Sequence, residues 1–428
     1  MLAELNRYVI ATPVPFVVDL ERSEGMTLAT IDGQRLFDWA GYFGSKLIAH
    51  NHPRLYEPDY VRRLTVAANN KVANPDFLTP ECLEYYRLLY RLAPESMRNP
   101  RLEVYAVNSG AEAVENLLKY LVARFHVKRD RQGKRITGRR FLYFDQAFHG
   151  RTVYALQVTQ TADPVATKDF HGLSGSGNVK LPFPAIDTSE PDAVNRARTD
   201  EALRIVELTL QQMADEIVGI LVEPIQGAGG QRVAEPRFFT GLSELAGKYD
   251  VYLAFDEVQT SLGPTGKTFA IDHFALPIPP LAVAVGKKFG AGAVYMYEPL
   301  DDIGVLDSTW GGTLADMVRV VQEVKIVDDE ALIPAAAAKG EQLAAGLRAL
   351  EAKGLPLRNV RGMGLYQGFS LADAAAKARL IEIAREEHDL LLLGAGSDSI
   401  RTRPNLSVTE HDVDRFLELL EHALRTLA

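Results

Sequence analysis

Two short apolar runs deliver charged groups whose combination is chemically useful. Val251 to Phe255 ends on Asp256-Glu257-Val258-Gln259, and Leu281 to Val285 ends on Gly286-Lys287-Lys288. Runs of this length and composition read as buried strands. An acid and an amine therefore stand at strand C-termini, the edge of an open α/β sheet where ligands bind. An acid that keeps a pyridine nitrogen protonated, and a lysine that forms an imine with an aldehyde, are what pyridoxal 5'-phosphate (PLP) asks of its protein. Taken alone, Asp256 is an ordinary strand-end acid and Lys287 a solvated lysine. Other strand ends change that balance.

Asn108-Ser109-Gly110-Ala111-Glu112-Ala113 lies between a strand, Leu102 to Val107, and a helix, Ala111 to Phe125, with apolar Val114, Leu117, Leu118, Leu121, Val122 and Phe125 on one stripe. Small residues at a helix N-terminus let backbone N–H groups approach a phosphate, and the helix dipole favours its charge. The plainer reading makes Ser109 only an N-cap. The strand Phe141 to Phe144 runs into Asp145-Gln146-Ala147-Phe148-His149-Gly150-Arg151. Phe148 can stack on a flat ring, His149 can position it, and Arg151 can read a carboxylate. Singly, these are a core Phe, a capping His and a surface Arg. Ile217 to Val222 ends on Glu223-Pro224-Ile225-Gln226-Gly227-Ala228-Gly229-Gly230, an acid followed by a glycine-rich loop. On its own, Glu223 is a strand-end salt-bridge partner.

These groups need a sheet to hold them. Strands separated by helix-length segments predict a largely parallel sheet with helices on both faces, an α/β fold. Before it, Val14 to Leu20, Thr27 to Ile31 and Arg35 to Trp39 read as a small antiparallel unit turning at Asp32-Gly33. Thr161 to Pro191, rich in Gly, Pro, Asp and Ser, reads as a surface excursion. After Trp310, helices (Ala335 to Lys353, Ala374 to Glu387, Glu410 to Leu427) mix with short strands (Gly364 to Phe369, Leu390 to Leu393, Ser399 to Arg403) in an α+β unit. The 428 residues suffice for two domains, and a net charge of −9 argues against a nucleic-acid surface. No apolar run is long enough to span a bilayer. One cysteine, Cys82, and no basic, apolar leader point to a reducing, cytoplasmic setting. No metal is expected.

Taken together, the segments S-G-A-E-A-V-E-N, A-F-H-G-R, E-P-I-Q-G, F-D-E-V-Q-T and G-K-K are highly specific, and nearly the whole chain resembles a class III aminotransferase of PLP fold type I. Leu306-Asp307-Ser308-Thr309-Trp310-Gly311-Gly312, Asp316-Met317-Val318-Arg319, the paired Lys287-Lys288 and Gly150-Arg151 most resemble the L-lysine 6-aminotransferases. The resemblance implies a large PLP-binding domain, residues 53–311, with a mostly parallel seven-stranded sheet flanked by helices. It also implies a small α+β domain built from both termini, residues 1–52 and 312–428. Lys287 matches the lysine that binds PLP, with Lys288 the fallback. Asp256 matches the partner of the pyridine nitrogen, Gln259 a contact to the ring hydroxyl, and Phe148 the stacked ring. Gly110 and Ala111, beside Ser109, match the phosphate turn; His149 and Glu223 join the cofactor set. Thr309 matches a threonine that reaches the phosphate of the neighbouring subunit, which implies a homodimer. Arg151 matches a reader of the amino-acid α-carboxylate, and Arg403 the arginine that binds 2-oxoglutarate.

The implied activity moves the ε-amino group of L-lysine, or a similar ω-amine, to 2-oxoglutarate, giving 2-aminoadipate 6-semialdehyde and glutamate. Ornithine, acetylornithine and 4-aminobutyrate are alternative donors. An aminomutase, racemase or decarboxylase on the same fold is an alternative chemistry. One position departs from the family. Ala228 stands where many ω-aminotransferases carry the second glutamate of E-P-I-Q-G-E-G-G, which pairs with the arginine matching Arg403.

Overall fold

The computed structural model describes all residues except 11–13, 161–166, 168, 171–176 and 428. Strands β1 (Val18–Glu24), β2 (Thr27–Thr30) and β3 (Arg35–Asp38) pair antiparallel in sequence order. The expected first strand starts four residues late, at Val18 rather than Val14.

The strands that carry the chemistry share one seven-stranded sheet. Its members are β4 (Glu103–Val107), β5 (Arg140–Phe144), β6 (Val179–Leu181), β7 (Ile217–Val222), β10 (Tyr252–Asp256), β11 (Ala282–Val285) and β12 (Gly292–Met296). The two-residue strands β8 (Ile225–Gln226) and β9 (Arg232–Val233) form a separate hairpin. The order is β4-β12-β11-β10-β7-β5-β6, parallel except that β12 runs antiparallel to both neighbours. Every residue of β7 is buried, as expected of a central strand covered on both faces. The segment from Thr161 to Pro191 is only partly an excursion. Val179–Leu181 forms the sheet edge beside β5, while 161–166, 168 and 171–176 lie outside the described residues.

Helix Gly110–Arg131 starts where the small residues predict it. Ser109 Oγ accepts from Glu112 N at 3.2 Å, and Glu112 Oε2 reaches back to Asn108 N at 2.8 Å. These bonds satisfy backbone groups that a helix end leaves open. A Cβ on Gly292 would lie 2.1 Å from the Ser109 carbonyl oxygen, so β12 passes under this corner only because it begins with glycine.

Beyond the large sheet, β13 (Arg358–Met363), β14 (Tyr366–Ser370), β16 (Leu393–Ala395) and β17 (Ser399–Arg401) form a sheet ordered β13-β14-β17-β16. Strand β15 (Leu390–Leu391) leaves it and pairs in parallel with β3, Leu390 opposite Phe37. Nearby, Gly41, Tyr42, Phe43 and Gly44 all take positive φ, from 50° to 82°. Two bulky non-glycine residues in that region are strained. The turn lies directly on the site's back wall: a Cβ on Gly41 would come within 2.1 Å of the Arg403 carbonyl oxygen, and one on Gly44 within 2.7 Å of Tyr366 Oη.

Candidate active site

The ends of β10, β11, β7 and β5 and the start of helix Gly110–Arg131 enclose one pocket. Gly110, Ala111, Phe148, His149, Glu223, Asp256, Gln259 and Lys287 line it, with Gly150, Ile225 and Val258. Eight residues singled out in the sequence therefore meet in one place. Close backbone contact makes this possible. A Cβ on Gly286 would lie 2.9 Å from Gly110 Cα, and one on Gly110 would lie 2.6 Å from Val258 Cγ1. The lysine strand and the helix N-terminus touch through two glycines.

Lys287 lines the pocket at a left-handed φ of 51°. Burial, then the charges of Arg401 and Arg403, lower its pKa from 10.5 to about 8. Lys288 is turned into the wall, donating to the Gln259 carbonyl at 2.9 Å and lying over the Tyr366 ring at 4.9 Å. Its pKa is driven well down by burial and by Arg403. The geometry separates the two adjoining lysines: Lys287 faces the pocket and Lys288 does not.

Asp256 is held on both oxygens. Oδ2 meets His149 Nδ1 at 2.8 Å and Oδ1 accepts from Val258 N at 2.9 Å. His149 is buried, and among the described residues its Nε2 has no hydrogen-bond partner. Glu223 Oε1 accepts from Phe148 N at 2.9 Å, which fixes the loop carrying the Phe148 ring. Burial and the Asp256 charge push the Glu223 pKa well above its usual value.

Four of the sequence-derived residues stand outside this lining. Ser109 caps the helix. Arg151 is exposed immediately after pocket-lining Gly150. Thr309 is also exposed, in a segment tied to the core through Ser308 Oγ, which accepts from Asn108 Nδ2 at 3.3 Å. Arg403 is buried behind the pocket. It donates to Gln231 Oε1 at 2.7 Å and to the Thr402 carbonyl at 2.8 Å, and its guanidinium lies 3.9 Å from the Tyr366 ring centre.

Sequence reasoning passed over Arg401, Gln231 and Tyr366. Arg401 is buried, yet among the described residues its side chain makes one hydrogen bond, a 3.3 Å contact with Gln259 Oε1, and its Nε has no partner. Burial and the neighbouring Arg403 lower its pKa to about 9. Arg401 and Arg403 alternate with Thr402 along extended chain, so both side chains fall on one face. That alternation was the available signal.

The residues present fit PLP. Small residues open a helix N-terminus for the phosphate, an aromatic ring and a buried His–Asp pair suit the pyridine, and a lysine of lowered pKa faces the space between them. Such a site at the carboxyl edge of a mostly parallel sheet defines a fold-type I PLP-dependent transferase. Within that class, the chain belongs to the class III aminotransferases, whose family description matches residues 9–424. An L-lysine-epsilon aminotransferase of Mycobacterium tuberculosis is 32% identical, with 98% of this chain and 94% of that protein covered. One of Streptomyces clavuligerus is 29% identical, with 99% and 94% covered. The solved structure of a lysine aminotransferase from M. tuberculosis superposes with a TM-score of 0.92 at 30% identity, covering 100% of this chain and 98% of that one.

Proposed function

We propose that this PLP-dependent aminotransferase takes the ε-amino group of L-lysine and delivers it to 2-oxoglutarate. The donor assignment rests on the full-length similarity to L-lysine-epsilon aminotransferases. The observation that carries the site assignment is Lys287, a half-buried amine of lowered pKa facing the same pocket as Asp256.

PLP, when bound, supplies an electron sink for the bond electrons of the amine-bearing carbon. The chain's residues do the rest. Lys287 Nζ would hold the cofactor at rest and, once free, would carry the proton lost by the substrate carbon to the carbon that bore the cofactor's aldehyde. Asp256, oriented by His149, holds a proton at the ring nitrogen. Phe148 and Gln259 keep the ring in place, Glu223 fixes the Phe148 loop, and the N–H groups of Gly110 and Ala111, capped by Ser109, receive the phosphate. Arg151 reads the α-carboxylate from the open side. We assign the acceptor carboxylate to Arg401 rather than to Arg403, because among the described residues the Arg401 guanidinium has one long contact, to Gln259 Oε1, whereas Arg403 has two short ones, to Gln231 Oε1 and the Thr402 carbonyl. A buried charge without a partner is costly, and a substrate carboxylate removes that cost.

We further propose a homodimer in which Thr309 reaches the partner's cofactor phosphate. Exposed Val61, Val66, Phe77, Leu78 and Leu83 form the apolar side chains such a contact would cover. Residues 53–311 are proposed as the cofactor domain and 1–52 with 312–428 as the small domain, a division that the β3–β15 pairing supports. No helix among the described residues is long and apolar enough to cross a membrane. A buried, unpaired Cys82 suits a cytoplasmic location.

The test is a donor screen with 2-oxoglutarate that quantifies glutamate and identifies the carbonyl product. L-Lysine should give 2-aminoadipate 6-semialdehyde, trapped as its cyclic imine, ahead of ornithine, acetylornithine and 4-aminobutyrate. Glutamate formation from one of those donors and none from lysine would overturn the donor assignment.

A further inference from the structure

Four basic side chains crowd the pocket and its back wall: Lys287, Lys288, Arg401 and Arg403. None of them forms a salt bridge with a described carboxylate. The acids whose charges reach them are committed elsewhere: Asp256 to His149, Glu223 to Phe148 N, and Glu257, which acts on Lys288, to Thr260 Oγ1 and Ile271 N. What meets Arg403 instead is neutral. Gln231 Oε1 accepts from Arg403 Nη2 at 2.7 Å, the Tyr366 ring lies beneath, and Gln259 Oε1 lies 3.5 Å away.

Gln231 is fully buried and held from several sides. Its Nε2 donates to the Tyr366 carbonyl at 2.7 Å. Its own carbonyl accepts from Arg361 Nε at 3.1 Å, and Arg361 also grips the Gly230 carbonyl. Its backbone takes a left-handed φ of 53°. The amide orientation follows from these partners, since a guanidinium demands an acceptor and a carbonyl demands a donor. A carboxylate in the same place would satisfy Arg403 but face the Tyr366 carbonyl with no hydrogen to give. The site is built for an amide.

Resting on the lysine-aminotransferase reading above, we propose that Gln231 is a specificity-setting positioning residue. It is an uncharged anchor that occupies Arg403 in every state and leaves the positive charge of the pocket uncancelled, so that Arg401 stays open to a carboxylate whichever half-reaction is under way. In this chain the arginine partner is supplied three residues after Ala228, as an amide and not as an acid. Five-carbon dicarboxylates should therefore bind the PLP-loaded form as well as the amine-loaded form, and 2-oxoglutarate should compete with the amino donor.

The experiment titrates glutarate, which does not react, into the PLP-loaded protein by calorimetry, for wild type, Gln231→Glu and Gln231→Met. Wild type should bind it. Gln231→Glu, which adds a charge beside Arg403, should weaken binding at least about tenfold and raise the kcat/KM ratio of lysine to glutamate as donors. Gln231→Met, which adds none, should stay within about threefold of wild type while losing thermal stability. Ala228→Glu, at a less buried point of the same loop, should repeat the loss of glutarate affinity and carries the test alone if Gln231→Glu does not fold. A purely structural role would lower both donors together and weaken glutarate as much in the Met variant as in the Glu variant. That pattern, or unchanged glutarate affinity in folded, PLP-loaded Gln231→Glu, overturns the proposal. Failure of wild type to transaminate lysine would instead overturn the donor assignment.

Discussion

Lys287 and Lys288 are neighbours in sequence with opposite environments. Lys287→Ala should lose covalent attachment of PLP, read by mass after borohydride reduction, while PLP still binds through its phosphate. Lys288→Met should keep the attachment, since Lys288 is a walled-in cation, and replacing a buried charge by an apolar chain is often neutral or stabilising. The reverse pattern would move the assignment by one residue. The lowered pKa of Lys287 sets a pH dependence. The free amine, the form that captures PLP, appears as pH rises through about 8, so the apoenzyme's capture rate should climb there. Removing Arg401, the largest charge lowering that pKa, returns it toward 10.5. Arg401→Ala should shift the capture profile to higher pH and impair the 2-oxoglutarate half-reaction more than Arg403→Ala does. Stopped-flow half-reactions check both points. Asp256→Ala should cost turnover on the order of 10²–10³ with little change in the melting curve. Near-normal turnover would remove Asp256 from its proposed role.

At the scale of elements, the site depends on how closely β11 approaches helix Gly110–Arg131. Gly286→Ala would drive a methyl group to within 2.9 Å of Gly110 Cα, which is backbone and cannot turn aside. Overpacking of that kind costs about 1–3 kcal/mol. The variant should melt earlier and bind PLP more weakly, both measurable without substrate. Much of this framework was legible because its elements obey simple periods. β7 spans Ile217–Val222 and the last helix Glu410–Leu427, as their patterns predict. The helix begun at Ser109 continues six residues past Phe125 because the mostly polar His126–Arg131 still propagates the backbone bonds. β6 and β12 were not separately legible. β6 is three residues long inside a loop-like stretch, and β12, Gly-Ala-Val-Tyr-Met, is too short for periodicity to distinguish. In the site, motif residues were legible because their spacing places them at strand ends. Gln231 and Arg401 were not, because polar residues reveal a buried role only once the chain around them has folded.

The whole molecule bears on the exposed outliers, Thr309 and Arg151. If Thr309 serves the partner's cofactor, each active site draws on two chains. Lys287→Ala and Thr309→Glu proteins should each be inactive alone. Coexpressed, they should regain up to about a quarter of wild-type activity, since half the dimers are mixed and one of their two sites is intact. No recovery would place Thr309 in its own subunit's site or in none.

The pairing of Leu390 with Phe37, and the seating of Gly41 against the Arg403 carbonyl, have a consequence for how the enzyme is made. A nascent chain can form the large sheet while the ribosome is still at work, since its strands end by Met296. The arginine wall cannot form then. The turn at Gly41–Gly44 waits, strained and unsupported, for a strand translated roughly 350 residues later, a loop whose closure is slow to complete. An arrested or C-terminally clipped product would keep its lysine, its acid and its phosphate turn, and could sequester vitamin-derived cofactor while transferring nothing. The last forty residues decide whether the cell has made a catalyst or a cofactor sink.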